Sequence, residues 1–197
     1  MIAGDARYLQ RIDSRLAADG IPLGIEVWGG GYGSLVRLIL GQLVSIEAAD
    51  AMWRNLNEAV GEVTPATMGR ADDDTLRGCG FTAAKAARAR DIGRAGIDFA
   101  ALDQESDATV LSTLLALPGV GLWTAECYLL FAIGRRDVFP AGDLALRIGW
   151  AEAVGLQEPP SAATLRATAE QWSPRRTAAA YLLWAGYLRR RGRGSIQ

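Results

Sequence analysis

An all-α fold is what this chain predicts, on three observations. No window shows sustained alternation of apolar and polar residues, so no strand is expected. Apolar residues recur at helical spacing instead. Serine, threonine or aspartate stands at the head of one such segment after another, and short breaker loops separate the segments. Helix after helix on short connections leaves helix-on-helix packing as the way to bury the apolar faces.

Taken in order, residues 5 to 18 read as an amphipathic helix with Tyr8, Leu9, Ile12 and Leu16 on one side. Gly20 to Gly33, with the run Trp28-Gly29-Gly30-Gly31-Tyr32-Gly33, reads as a loop. No strand precedes it and no Gly-Lys-Ser/Thr follows, which argues against a phosphate-binding loop. Ser34 caps a long helix to about Val60. Asp72-Asp73-Asp74 leads into a short helix with Asp74 as cap, a place where acidic residues need no metal. Thr82 caps a helix from Ala83 to Ile92. The nearby Lys85, Arg88, Arg90 and Arg94 form either a solvated face or a phosphate contact. Ser106 or Asp107 caps the next helix, and Asp143 precedes one that runs to about Val154. Pro159-Pro160 is a break, and Ser161 caps a helix through Trp172. Ser173 caps the last helix with Pro174 in its first turn, and Tyr181, Leu182, Trp184, Ala185 and Leu188 follow at helical spacing.

Composition narrows the class. With 197 residues the chain suffices for one compact domain or two small lobes with a sizeable core. Half the residues are hydrophobic, yet no apolar run is long enough to span a membrane. The first residues, MIAGDARYLQRIDSR, lack the apolar centre of a signal peptide, so a cytoplasmic location is expected. The two cysteines, Cys79 and Cys127, are expected as buried free thiols. The sequence contains no histidine, which excludes Ser-His-Asp hydrolases and most zinc enzymes. Catalysis then rests on carboxylates, hydroxyls, arginines or the single lysine, Lys85. No long heptad run appears, and a monomer is expected.

Net charge is -1, but it is unevenly spread. From Arg175 onward there are six arginines and no acidic residue, so that tail is +6 and the first 174 residues carry -7. Such a tail reads either as a solvated helix end or as a basic face for phosphates.

The densest signal is Leu117 to Arg147, LPGVGLWTAECYLLFAIGRRDVFPAGDLALR. Pro118 has no backbone donor, and Gly119 and Gly121 can take backbone angles closed to other residues. A helical pattern resumes at Leu122 and continues to about Gly134. The turn therefore joins two helices tightly and leaves amides at the second helix start free to hold a phosphate. A lone carboxylate, Asp143, then follows the loop Phe139-Pro140-Ala141-Gly142 just ahead of another helix.

This stretch resembles the helix-hairpin-helix motif and trailing catalytic aspartate of the helix-hairpin-helix DNA glycosylase superfamily. The similarity is greatest to the 3-methyladenine DNA glycosylase II type, which removes alkylated bases. Leu40-Gly41-Gln42-Leu43-Val44-Ser45 also resembles that branch's Gly-Gln-Leu-Val-Ser signature. The resemblance implies two helical lobes with a DNA-binding cleft between them. One lobe spans about 34–136, with the hairpin motif at about 107–134, and the other is formed by 1–33 plus 137–197. It implies a short form without the branch's N-terminal β domain. Two cysteines exclude the four-cysteine iron-sulfur cluster of the endonuclease III branch.

Carried over residue by residue, the resemblance makes Asp143 the catalytic carboxylate. It makes Leu43 the wedge entering the minor groove with Gln42 beside it, although spacing alone reads Leu43 as core. Trp123 and Trp184 fall at aromatic positions of the base pocket, where a cationic methylated base would be attracted. A further pocket tyrosine falls at Cys127, with Tyr128 next to it. Gly119, Val120 and Gly121 of the hairpin, with Arg147, Arg175 and Arg176, are the implied phosphate contacts. The carbonyls of Leu115, Leu117 and Val120 would hold a sodium or potassium ion, and no catalytic cofactor is implied. Bifunctional members carry a lysine nucleophile where Trp123 stands, so the chain looks monofunctional, without a lyase step. The implied function is hydrolytic removal of flipped-out alkylated bases from double-stranded DNA, leaving an abasic site. No obligate protein partner and no membrane are implied. The alternatives are a glycosylase for uracil or hypoxanthine, and a non-catalytic helix-hairpin-helix DNA-binding module.

Overall fold

The computed structural model describes residues 2–16 and 26–192, among which the chain forms twelve α-helices and no strand. In chain order these are α1 (Ile2–Ile12), α2 (Gly31–Gly41), α3 (Ile46–Val60), α4 (Pro65–Arg70), α5 (Asp73–Gly78), α6 (Ala83–Arg94), α7 (Phe99–Leu102), α8 (Asp107–Leu115), α9 (Leu122–Cys127), α10 (Leu144–Val154), α11 (Ala162–Ala169) and α12 (Arg176–Arg190). The all-α expectation holds. No helix among the described residues is long and apolar enough to cross a membrane.

The chain divides into two compact units. A central unit is Trp28–Tyr128, and a terminal unit joins Met1–Val27 to Leu129–Gln197. The second boundary falls where α9 widens into a π-helical segment, Tyr128–Ala132. In the central unit α2 packs on α3 and α6, and α4 on α6, around buried Leu35, Ile39, Leu56, Met68 and Ile92. In the terminal unit α12 packs on α1 and α10. The α10 contact is so close at Gly149 that a Cβ there would lie 2.9 Å from the Leu183 carbonyl oxygen.

Most caps fall where the sequence places them. Thr82, Ser106, Asp143 and Ser161 each accept the backbone N–H three residues on, satisfying a donor that the helix leaves orphaned. Four expectations need correction. The helix expected from Ser34 to Val60 is two helices: α2 begins at Gly31 with Ser34 buried inside it, and Ser45 caps α3 through Ala48 N. Asp72, not Asp74, caps α5, at 2.7 Å from Thr75 N; Asp74 sits inside the helix paired with Arg77. Ser173 does not cap the last helix, because its hydroxyl donates to Asp137 and α12 starts at Arg176. The expected first helix stops at Ile12 and a 3-10 turn, Ser14–Leu16, follows. Leu9 and Leu16 are buried there, whereas Tyr8 and Ile12 are exposed. Residues 17–25, which hold the end of that expected helix and part of the expected loop, and residue 193, the last tail arginine, lie outside the described residues.

Candidate active site

In the terminal unit the loop after Phe139 delivers Asp143 to the N-terminus of α10. Its Oδ1 accepts from Leu146 N at 3.0 Å and from the Trp184 indole Nε1 at 3.0 Å. The first bond places a carboxylate at the positive end of a helix dipole. The second fixes its rotation from α12, since Trp184 is buried and its ring stacks on Phe131 at 5.4 Å between centroids. A half-buried carboxylate tethered from two helices can present charge at a fixed point and take a proton from water. Phe131 went unnoticed in the sequence because it sits in the apolar run Leu129-Leu130-Phe131-Ala132, which reads as core throughout.

The central unit holds the hairpin. α8 ends at Leu115, Val120 N donates back to the Leu117 carbonyl, and α9 starts after Gly121 with no side-chain cap on its amides. Gly119 has φ +75°, and a Cβ there would fall 2.3 Å from Arg88 Cδ. Glycine is therefore favoured by the backbone angle, while the flexible end of Arg88 would have to shift for any larger residue. Gly119 and Gly121 are exposed and Val120 is buried. Trp123 lies half-buried on the first turn of α9.

The same unit carries the Gln42-Leu43 turn between α2 and α3. Leu43 has φ +62° and is 105% exposed, so it is no part of the core. A non-glycine residue in the left-handed region is strained, and an isolated leucine wholly in water gains nothing from burial. Gln42 reaches across to the hairpin, donating to Thr124 Oγ1 at 3.0 Å and the Gly119 carbonyl at 3.4 Å.

Several expected site residues turn out differently. Tyr128 is fully buried in the central unit. Its hydroxyl donates to Asp103 at 2.6 Å and accepts from Gly31 N at 2.8 Å, and its ring meets Phe99. Burial, first, and the Asp103 carboxylate raise its pKa far above the ordinary tyrosine value. It is a core anchor rather than a pocket wall. Cys127 beside it is also buried, and both cysteines are free thiols. Arg175 and Arg176 are each bound to carboxylates of the terminal unit. Arg175 pairs with buried Asp5 and covers the Tyr8 ring, and Arg176 pairs with Asp137 and Glu170. Further along the tail, Arg190 and Arg191 share Glu152. The tail that is +6 in sequence is thus largely neutralised by acids of its own unit. Arg147 donates Nε to the Pro160 carbonyl at 2.6 Å and has no carboxylate partner among the described residues.

The described residues thus hold a tight helix-hairpin-helix turn in the central unit and a tethered aspartate ahead of a helix in the terminal unit. Comparison with known proteins agrees. Residues 36–175 match the family model for the HhH-GPD superfamily base excision DNA repair protein. The chain is 30% identical over 161 residues to DNA-3-methyladenine glycosylase 1 of Schizosaccharomyces pombe, covering 78% of this chain and 71% of that one. It is 28% identical to DNA-3-methyladenine glycosylase 2 of Escherichia coli over 76% of this chain and 55% of that one. Among solved structures, S. pombe 3-methyladenine DNA glycosylase (Mag1) in complex with abasic DNA superposes with a TM-score of 0.81, at 27% identity, covering 92% of this chain and 95% of that one. The chain belongs to the HhH-GPD superfamily of base excision DNA repair proteins.

Proposed function

We propose that this protein is a monofunctional DNA glycosylase that hydrolytically removes alkylated bases, such as purines methylated at N3 or N7, from double-stranded DNA. The observation that carries the reading is Asp143, held at the start of α10 by Leu146 N and by the Trp184 indole. A module that only binds DNA could use the cap to Leu146 N but has no need of the second tether to Trp184. The two 3-methyladenine glycosylases that match over most of this chain, from S. pombe and E. coli, supply the substrate class.

The chemistry follows from charge. As the C1′–N bond breaks, the bonding electrons leave with the base and positive charge builds on the sugar. Asp143 stabilises that charge and takes a proton from the attacking water, whose oxygen bonds to C1′. A cationic methylated purine departs neutral and needs little general acid, which suits a chain without histidine. The base must first leave the stack, at a cost of a few kcal/mol. Leu43, exposed on a strained turn, is the side chain that fills the gap, with Gln42 beside it. The Gly119-Val120-Gly121 turn and Arg147 hold phosphates. Trp123 and Trp184 contribute to the base site, Trp184 also by orienting Asp143. Where a lyase would carry its lysine this chain has Trp123, so the product is an intact abasic site and borohydride traps no covalent complex.

We infer a monovalent cation at the carbonyls of Leu115, Leu117 and Val120, a reading supported by the Leu117 oxygen, which accepts Val120 N at 3.3 Å and keeps a second lone pair. Such an ion would stiffen the turn and attract phosphate. The protein acts as a monomer in the cytoplasm in this reading.

The deciding experiment is base release from methylated duplex DNA by wild type and Asp143→Asn. Asparagine keeps the acceptor for Leu146 N and the indole but loses the charge. Release should fall about 100-fold or more with DNA binding retained. Release unchanged by the substitution removes Asp143 from the chemistry. Absence of release from any methylated base by wild type removes the substrate assignment.

A further inference from the structure

The only lysine in the sequence is not on the surface. Lys85, on α6, is 9% exposed, and its Nζ donates to the carbonyl oxygens of Leu40 at 2.6 Å and Gln42 at 2.8 Å. No carboxylate pairs with it among the described residues. One acceptor, the Leu40 carbonyl, is in the last turn of α2, where a helix leaves its carbonyls without internal partners and carries its negative dipole end; the other belongs to Gln42, the extended residue that caps it. The two acceptors lie on the two sides of Gly41, immediately before Leu43. An ammonium here costs desolvation, and burial, with Arg88 one turn along α6 adding to it, lowers its pKa. A buried cation with no counter-ion survives only where hydrogen bonds to it are worth more than water, so the bond to this turn is the reason for its placement.

The geometry points to Lys85 as the positioning residue that holds the Gln42-Leu43 turn in its strained, outward conformation, so that Leu43 is presented to DNA ready-made. Two contacts hold that turn: Lys85 grips its backbone from α6, and Gln42 bonds to Thr124 and Gly119. Arg88, a turn beyond Lys85, lies beside Gly119 of the hairpin. One face of α6 thereby ties the wedge and the phosphate-binding turn into one piece. Without the ammonium, Leu43 relaxes from φ +62° toward ordinary angles, and the α2–α3 connection drifts. The cost falls on the step that opens the duplex, not on the chemistry at Asp143.

This inference rests on the wedge reading of Leu43, and the test separates the two. Single-turnover release of a methylated purine is measured from a matched duplex and from one where the lesion is mispaired, for which flipping is easier. The proteins are wild type, Leu43→Ala, Lys85→Met and the double variant. Lys85→Met should release the base from the matched duplex about ten-fold more slowly than wild type and much less so from the mispaired one. Leu43→Ala should show the same pattern, and the double variant should be no worse than Leu43→Ala alone, because both act through one group. Wild-type rates in Leu43→Ala overturn the wedge reading and this role with it. Slow matched release in Leu43→Ala with wild-type behaviour in Lys85→Met keeps the wedge and overturns the role of Lys85. Equal slowing on both substrates, or additive effects, makes Lys85 a merely structural residue and likewise overturns it. Should Lys85→Met fail to fold, Lys85→Arg takes its place. It keeps the charge but not the compact fit to two carbonyls, and the same matched-to-mispaired ratio decides.

Discussion

The two units of this molecule hold themselves together by different means. The terminal unit relies on carboxylates bound to arginine: Asp5 with Arg136 and Arg175, Asp13 with Arg15, Asp137 with Arg176, and Glu152 with Arg190 and Arg191. The central unit has side-chain caps at Ser45, Thr64, Asp72, Thr82, Asp98 and Ser106 and a buried lysine bonded to backbone, and its ion pairs, Arg37–Asp50, Arg77–Asp74, Arg90–Asp73 and Arg94–Asp91, involve no buried carboxylate. The unit that carries Asp143 is braced by buried carboxylates paired with arginine. The unit that carries the hairpin and Leu43 starts α9 without a side-chain cap, while Ser45 caps α3 just after the Leu43 turn.

The sharpest way to break this contrast is at the core of the terminal unit. Trp172 is 1% exposed, edge-on to Trp150, tilted against Phe139, and donates its indole N–H to Asp13 at 2.9 Å. Trp172→Ala removes a large packed ring and strands a buried carboxylate oxygen, at a cost of about 3–5 kcal/mol. Denaturant unfolding should show that loss. Amides of α10 and α12 should lose exchange protection before those of α2 and α6. Uniform loss over both units would show that they unfold as one and that their separate bracing has no consequence.

Acid should pull the units apart in the same order with no mutation. The carboxyls of Asp5, Asp13 and Glu152 are held below their ordinary values chiefly by hydrogen bonds from Arg136, Arg15 and Arg191. At Asp137 burial pushes upward, but bonds from Arg176 and Ser173 outweigh it and the net shift is downward. A carboxyl with a depressed folded pKa contributes stability that is complete above its unfolded value. It is withdrawn as pH falls through the folded one. The window therefore opens below the ordinary 4.5 of glutamate and 3.8 of aspartate. Hydrogen exchange followed from pH 7 into this range should show α1, α10 and α12 opening first. In the central unit only Asp72, an exposed cap, has a comparable downward shift among the described residues. Earlier opening of α2 and α6 would refute the contrast.

Which of these features the sequence displays depends on how local their cause is. The caps at Thr82, Ser106, Asp143 and Ser161 are readable because a cap and the amide it satisfies lie three residues apart. The choice of Asp72 over Asp74 is not, since three aspartates in a row offer the same chemistry. The break at Gln42-Leu43 escapes local reading because its support comes from Lys85, more than forty residues on. The tail arginines mislead for the same reason. A run of charge shows its sign but not its partners, and Asp5, Asp137 and Glu152 arrive from elsewhere in the chain. Asp143 was legible through its motif, whereas its tether to Trp184, forty-one residues away, was not.

The smallest effect is the most direct probe of how the central unit is braced. Ser106 caps α8, the first helix of the hairpin, accepting from Thr109 N at 3.2 Å at an exposed position. Ser106→Ala should cost about 1 kcal/mol, the usual worth of such a cap. A serine hydroxyl does not titrate in this range, so the loss should be the same at pH 7 and below pH 3.8, unlike any loss that runs through Asp5 or Glu152. Base release at saturating enzyme should stay at the wild-type rate, because the cap faces the start of α8 and the hairpin turn lies beyond its other end. Slower release from a variant of nearly full stability would mean that the hairpin turn is held by the length of α8 and not by Gln42, Arg88 and Gly119.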